Sequence, residues 1–371
     1  MMLASERHGI ILAELRQRGT VRLSDLAVRL GVSAVTVRRD VTELEDQGLL
    51  ARVHGGATLP RSRAGQQKNN RNGVRPSAGV VAPGTLVGMV APSVEYYWPP
   101  VIQGAQTTVA AAGGRLILRP SSYDPAEDRR QVGNLLDRGV HTLLIAPTTN
   151  GRAGTELLRW LGSLAVPVVL VERLPPQELP MLGLDAATTA HALGAGLALR
   201  HLMSLGHRRV GLVTSRSSPT RDALRRGWRE AGSSLGLDPG HTADLDVPPY
   251  GSAGWPHAYD EMLTRLRAEG VTALLVHSDR EAIGLIALAR HRGITVPGDL
   301  AIVTYDDEVA AASDPPLTAV CPQKHRLGVL AAELALARVA DRGDRPVHRV
   351  QLWPTLVVRE SCGAHAIPGA C

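Results

Sequence analysis

Seven short apolar runs punctuate the chain between residues 86 and 305: Leu86–Ala91, Arg115–Leu118, Thr142–Ala146, Val166–Val171, Val210–Thr214, Ala273–His277 and Leu300–Tyr305. Stretches of helical length fit between most of them, over 126–138, 190–205, 221–235 and 279–292. This alternation leaves few folds open, because parallel strands need long crossovers and a helix is the usual one. It predicts an α/β region with parallel sheets, and so many βα units suit two similar lobes with a cleft between them. Ligands of such sheets bind outside the carboxyl ends of the strands.

The first 58 residues follow a different pattern. Residues 5–18 read as a helix with Ile10, Ile11 and Leu15 apolar. Leu23–Leu30 reads as a second helix capped by Ser24, and Gly31-Val32 makes a turn. Ser33 is then a good N-cap, its hydroxyl able to accept from an orphan N–H. Val37, Val41 and Leu44 recur at helical spacing and form one apolar face. Arg38, Arg39 and Thr42 lie opposite, as donors within reach of phosphates or base edges. Gly48 suits a C-cap, and Leu49–Ala57, with Gly55-Gly56, suits a tight β-hairpin. Helix, turn, helix and hairpin make a winged helix-turn-helix, a DNA-reading design. The competing reading makes Arg39 and Glu43 a solvated i,i+4 pair worth a few tenths of a kcal/mol.

Charge separates the two regions. Residues 1–75 hold 13 Lys+Arg against 7 Asp+Glu, and the remainder holds 28 of each. The whole excess of +6 therefore sits at the N-terminal end, as an electrostatic footprint for phosphates should.

The segment Thr36-Val37-Arg38-Arg39-Asp40, followed by Arg52-Val53-His54-Gly55-Gly56-Ala57, resembles the winged helix-turn-helix of DeoR-type bacterial regulators. The resemblance covers roughly residues 5 to 58 and implies a DNA-binding domain over 1–58. Its expected contacts are Ser33, Thr36, Arg38, Arg39, His54 and Gly55. From 59 to 84 the composition turns to Arg, Asn, Gln, Gly, Pro and Ser, which reads as a flexible basic linker.

Over residues 85–362 several runs resemble the sensor domain of LacI-type regulators, which is related to periplasmic sugar-binding proteins. They include Val166–Arg173, Arg200-His201-Leu202-Met203-Ser204-Leu205-Gly206-His207-Arg208-Arg209-Val210-Gly211, Ser278-Asp279, Tyr305-Asp306-Asp307, Pro315-Pro316-Leu317-Thr318 and Pro354–Ser361. Residues 363–371 are left as a C-terminal tail. The combination is unusual, because a phosphosugar-sensing domain commonly follows a DeoR-type head. The linker also lacks the hinge-helix sequence typical of LacI-type proteins.

The resemblance implies a sugar effector and points to residues that would hold it. Tyr97 and Trp98 fall in an aromatic-dense loop of a chain that is only 3% aromatic, where a ring face is wanted. Trp98 could instead begin a helix and pack inward. Arg173 matches an arginine that grips sugar hydroxyls, with an interlobe ion pair as its alternative. Trp228 matches a cleft-facing position, though a buried helix tryptophan fits too. Asp279 and Asp306 stand at strand ends as acceptors, or as helix caps. His191 occupies a position near the cleft in some relatives. The family often carries Gln-Pro after the Leu-Thr strand, whereas Cys321-Pro322-Gln323-Lys324 displaces the glutamine.

Cys321, Cys362 and Cys371 show neither an even set nor C-x-x-C spacing, so a disulfide framework or zinc site is not expected. A charged start and the lack of about 18 consecutive apolar residues argue against a signal peptide or membrane span and for a cytoplasmic protein. No G-x-S-x-G, P-loop or G-x-G-x-x-G occurs, so no enzyme activity and no cofactor is expected. These readings converge on a sugar-responsive regulator, a homodimer on operator DNA. The alternatives are a transport-type sugar receptor and an α/β enzyme fused to a DNA-binding head.

Overall fold

The computed structural model describes residues 20–46, 50–53, 56–58, 84–92, 94–176, 182–341 and 345–364, with 7, 8, 10, 11, 14, 15, 82 and 179 besides. The expected linker lies almost wholly outside the described residues, as does most of the tail. The chain divides into two units, 1–76 and 77–371, each taken by itself below.

In the first unit, residues 7, 8, 10, 11, 14 and 15 are helical. They precede β1 (Thr20–Arg22), α1 (Leu23–Leu30), α2 (Ala34–Asp46), β2 (Ala51–Val53) and β3 (Gly56–Thr58). The strands form one antiparallel sheet in the order β1-β3-β2, with Val21 and Arg52 both opposite Ala57. Strand β1 was not foreseen; it turns the wing hairpin into three strands. Helix α1 starts at Leu23, so Ser24 lies within its first turn rather than ahead of it. Ile11, Leu15, Val21, Leu26, Leu30, Val37, Val41, Leu44, Leu50 and Ala57 form the core. The apolar stripe Val37-Val41-Leu44 is wholly buried, which leaves the opposite face of α2 outward.

The second unit is α/β with two parallel-dominated sheets. Its first lobe contains β4 (Leu86–Ala91), α3 (Trp98–Ala111), β5 (Arg115–Pro120), α4 (Pro125–Leu136), β6 (Thr142–Ile145), α5 (Gly151–Gly162), β7 (Val168–Val171) and β8 (Asp185–Thr189). The second contains α6 (His191–Ser204), β9 (Val210–Ser215), α7 (Arg221–Ser234), β10 (Thr242–Val247), α8 (Trp255–Ala268), β11 (Ala273–His277), α9 (Asp279–His291), β12 (Ala301–Tyr305) and β13 (Thr318–Cys321). Helix α10 (Lys324–Asp341) and β14 (Arg349–Leu352) then return to the first lobe, and β15 (Thr355–Val357) to the second.

The sheets run β14-β8-β7-β6-β4-β5 and β10-β9-β11-β12-β13-β15, parallel throughout except for β15 against β13. Each therefore repeats the doubly wound order in which the second strand lies outside the first. The chain passes between lobes three times, at 189–191, 321–324 and 352–355, and the Ala190 N–H donates to Leu352 O at 2.9 Å. Helices α3 and α10 touch backbone to backbone. A Cβ at Gly104 would lie 2.1 Å from His325 O, and one at Gly328 would lie 1.9 Å from Val101 O.

Both sheets reverse strand order at a switch point, between β4 and β6 in one lobe and between β9 and β11 in the other. The rule for open α/β sheets places a ligand there. Among the described residues, no helix is long and apolar enough to cross a membrane.

Candidate functional site

At the start of α2, the Thr36 N–H donates to Ser33 Oγ at 3.2 Å, the geometry of an N-cap. The two hydroxyls lie 2.9 Å apart. Arg38 and Arg39 are exposed. Arg39 Nε donates to Glu43 at 3.4 Å, a pair too solvated to spend the arginine. Arg7 grips Asp40 with two hydrogen bonds of 2.7 and 2.9 Å, fastening the first helical segment to α2. Hydrogen bonds from Arg7 hold the buried Asp40 carboxyl below its usual range. Asp40 thus serves as a scaffold for α2. His54 and Gly55 lie outside the described residues.

A cavity of about 350 Å³ opens between the lobes of the second unit at the two switch points. The first lobe contributes Tyr96, Tyr97 and Trp98 from the segment after β4, Tyr123 after β5, and Glu172 and Arg173 after β7. The second contributes Ser215 at the end of β9 and Ser217 to Thr220 after it, Tyr250 after β10, His277, Ser278, Arg280 and Glu281 around the start of α9, and Asp306 after β12. Its size and mixed aromatic and polar lining suit a small polar ligand.

The backbone is strained at this place. Among the described residues, the non-glycine residues with φ in the left-handed region are Tyr97 at 68°, Tyr123 at 59°, Glu172 at 58°, Asp306 at 100° and Asp307 at 54°. Four of those five line the cavity. Such conformations persist where the surroundings over-determine them, and they gather at ligand sites.

Glu172 organises the floor. Its carboxylate accepts from Tyr97 Oη, from Thr189 Oγ1 at 2.6 Å and from the Thr189 N–H at 3.0 Å, and lies 3.0 Å from His191 Nε2. His191 Nδ1 lies 3.0 Å from Tyr305 Oη. Burial pushes the Glu172 carboxyl up, but the His191 charge and the hydrogen bonds outweigh it and bring the group down to about 2.

Arg173 is 7% exposed. One of its terminal nitrogens donates to Glu172 O at 2.7 Å, while Nε and the other have no partner among the described residues. A buried guanidinium with open N–H groups calls for an acceptor from outside the protein. Asp306 offers the opposite chemistry. Its carboxyl is pushed up to about 7 by burial and by the charge of Asp279. Lys324 Nζ donates to its backbone oxygen and pairs with Glu308. His277 Nε2 lies 3.8 Å from the Asp306 carboxylate and 3.2 Å from Thr220 Oγ1, and burial pushes this imidazole below its ordinary range.

The structure thus brings Tyr97, Trp98, Arg173, Asp306 and His191 to one cavity. Trp98 is also the first residue of α3, only 3% exposed and packed into the core, so the inward alternative and the lining position coexist. Two expectations need correction. Trp228 does not line the cavity: it is 2% exposed in the core beneath α6 and α7, alongside Leu199 and Leu224. Asp279 is fully buried, its oxygens taken by Thr304 Oγ1 at 3.0 Å and by the N–H groups of Glu308 and Val309 at 2.7 and 3.0 Å. It braces the loop that carries Asp306. Among residues the sequence reading passed over, Glu172 and Tyr96 sit beside ones it named. The Ser215–Thr220 segment, Tyr123 and Tyr250 could have been found by asking which loops follow the strands around each switch point.

The chain matches two family models, a DeoR-like helix-turn-helix domain over residues 7–63 and a periplasmic binding protein-like domain over residues 199–362. It is 26% identical over 355 residues to the arabinose metabolism transcriptional repressor of Geobacillus stearothermophilus, covering 91% of this chain and 89% of that protein. Among solved structures, it is similar to transcription regulator GntR of Chromobacterium violaceum, with a TM-score of 0.62 and 28% identity over 75% of this chain and all of that one. A LacI family transcriptional regulator of Enterococcus faecium with bound ribose shares the fold, with a TM-score of 0.61 and 20% identity over 75% of this chain and 98% of that one.

Proposed function

As a transcriptional regulator joining a DeoR-like reading head to a LacI-type sensor, this chain, we propose, represses carbohydrate uptake or catabolism genes and leaves its operator when a small sugar enters the sensor cleft. One observation carries the sugar half. The cavity between the lobes sets tyrosine and tryptophan faces beside a buried arginine with open N–H groups and a carboxylate, Asp306. Aromatic faces suit the C–H side of a sugar ring, the arginine its paired hydroxyl oxygens, and the carboxylate its O–H donors. Arabinose metabolism, named for the Geobacillus relative, and the ribose bound in the Enterococcus structure favour the same class of effector.

In this reading residues 1–58 form the DNA-binding domain, 59–84 a tether, 85–362 the sensor and 363–371 a tail. Ser33 and Thr36 place the helix start against the groove, Arg38 and Arg39 reach phosphates or base edges, and His54 and Gly55 contact the DNA backbone or minor groove. Two copies bind a pseudo-palindromic operator in the cytoplasm, the half-site spacing set by their symmetry. Effector binding bridges the lobes and shifts a two-state equilibrium that the dimer passes to the heads.

Thermal unfolding of the full chain against a panel of free sugars, oligosaccharides and sugar phosphates tests this. A saturable rise with a sugar is expected. The absence of any rise across the panel would contradict the sugar half and leave the DNA-binding half to be tested on operator fragments.

A further inference from the structure

Beyond Arg173 the cleft continues into a second cavity of about 160 Å³, which shares Tyr123, Arg173, Ser217, Ser218 and Pro219 with the first. Its remaining wall is Thr148, Thr149 and Asn150 from the first lobe and Arg216, Arg221 and Asp222 from the second. Two helices begin at this wall, α5 behind the N-cap Asn150 and α7 behind the N-cap Thr220, and neither receives a side-chain cap. The Arg221 N–H donates to Ser218 O at 3.4 Å, and the positive ends of both helices favour an anion at this wall.

Arg173 supplies the independent observation. It is 7% exposed, it lines both cavities, and two of its nitrogens lack partners among the described residues. Acids also lie nearby: Arg221 stands 3.3 Å from the exposed Asp222 and 3.8 Å from Asp246. The buried Asp128 is turned to Ser121 Oγ and to the Thr148 N–H at 3.2 Å.

We propose that the second cavity is an anion subsite, so that the effector is a sugar bearing a phosphate or carboxylate group held between Arg173, Arg216, Arg221 and the starts of α5 and α7. This rests on the reading of the first cavity as the sugar site. The ring lies against the tyrosines there, and the anionic group extends past Arg173.

Calorimetric titration of the full chain at constant ionic strength tests it. The probes are aldopentoses and aldohexoses, their terminal phosphate monoesters, the matching uronic acids and inorganic phosphate, each against wild type, R216Q and R216Q/R221Q. Arg216 is exposed, so R216Q alone reports the subsite should the double variant fold poorly. An anionic derivative should bind about tenfold or more tightly than its neutral parent. R216Q should weaken that preference, and R216Q/R221Q should abolish it while the neutral parent still binds. A winning phosphate ester identifies the group as phosphate, and a winning uronate as carboxylate. A neutral parent that binds as tightly as its derivatives would overturn the subsite and leave the sugar site standing. An anion preference, or a response to inorganic phosphate alone, that survives in both variants would place the anion elsewhere, the basic head included, and overturn the proposal. No binding by any neutral or anionic sugar would overturn the subsite and the sugar reading together.

Discussion

His191 Nε2 stands 3.0 Å from Glu172 Oε2, which joins the first residue of a second-lobe helix to the end of a first-lobe strand beside one of the three interlobe crossings. Tyr97 extends this chain of contacts on one side and Tyr305 on the other. The floor of the cleft is therefore one polar network shared by both lobes, and what happens in the cleft bears directly on how the lobes are held.

Glu172→Gln should lower stability by about 1–3 kcal/mol, since it weakens a buried network without emptying it. The carboxyl falls from 4.5 to about 2 on folding, so its contribution is fully present above pH 4.5 and is lost as pH falls through 2. Thermal midpoints of wild type and variant across pH 7 to 2 check this: the gap should be constant at neutral pH and close on acidification.

Arg173→Ala removes the buried donors that the cleft leaves open. Charge-assisted hydrogen bonds of about 1.5–3 kcal/mol predict a loss of effector affinity of about 10- to 100-fold. Arg173→Lys should not restore it, because an ammonium cannot reproduce the planar fork. Titration calorimetry with the effector found in the panel reads both.

Effector affinity should depend on pH through Asp306. With its carboxyl pushed up to about 7, the ionised form that accepts sugar hydroxyls dominates above that value and is lost below it. Affinity is therefore expected to fall between pH 8 and 6 in wild type, and the slope should flatten in Asp306→Asn. Titrations at four or five pH values separate the two behaviours.

Arg38→Ala should weaken operator binding. A phosphate contact predicts a uniform loss and a salt slope smaller by about 1, whereas a base contact predicts a loss of about 1–3 kcal/mol confined to one base-pair position. Anisotropy titrations across salt concentrations and operator variants distinguish these. Undiminished binding would remove Arg38 from the interface.

Much of the fold was legible because long apolar runs mark central strands. The strand Ala273–His277 has the same bounds in sequence and structure. Strands lacking that mark were missed. Asp185–Thr189 reads Asp-Ala-Ala-Thr-Thr and is wholly buried, and Thr242–Val247 alternates as an edge strand does. Within the site, Arg173 was legible from its strand end, but Trp228 was not. Its neighbour Gly227, whose Cβ would lie 1.9 Å from Ala192 O, lets α7 press onto α6 and takes the indole into the core. Asp279 looked like an acceptor for ligand because sequence cannot show that three donors of its own chain already occupy it.

The central claim is that cleft occupancy and operator binding are opposed. The measurement that tests it most directly is the operator dissociation constant of the full chain at rising effector concentration, paired with the effector constant at saturating operator. Both should weaken, by the same factor, because coupling between two sites is reciprocal. An effector that fills the cleft and leaves operator affinity unchanged would contradict the account.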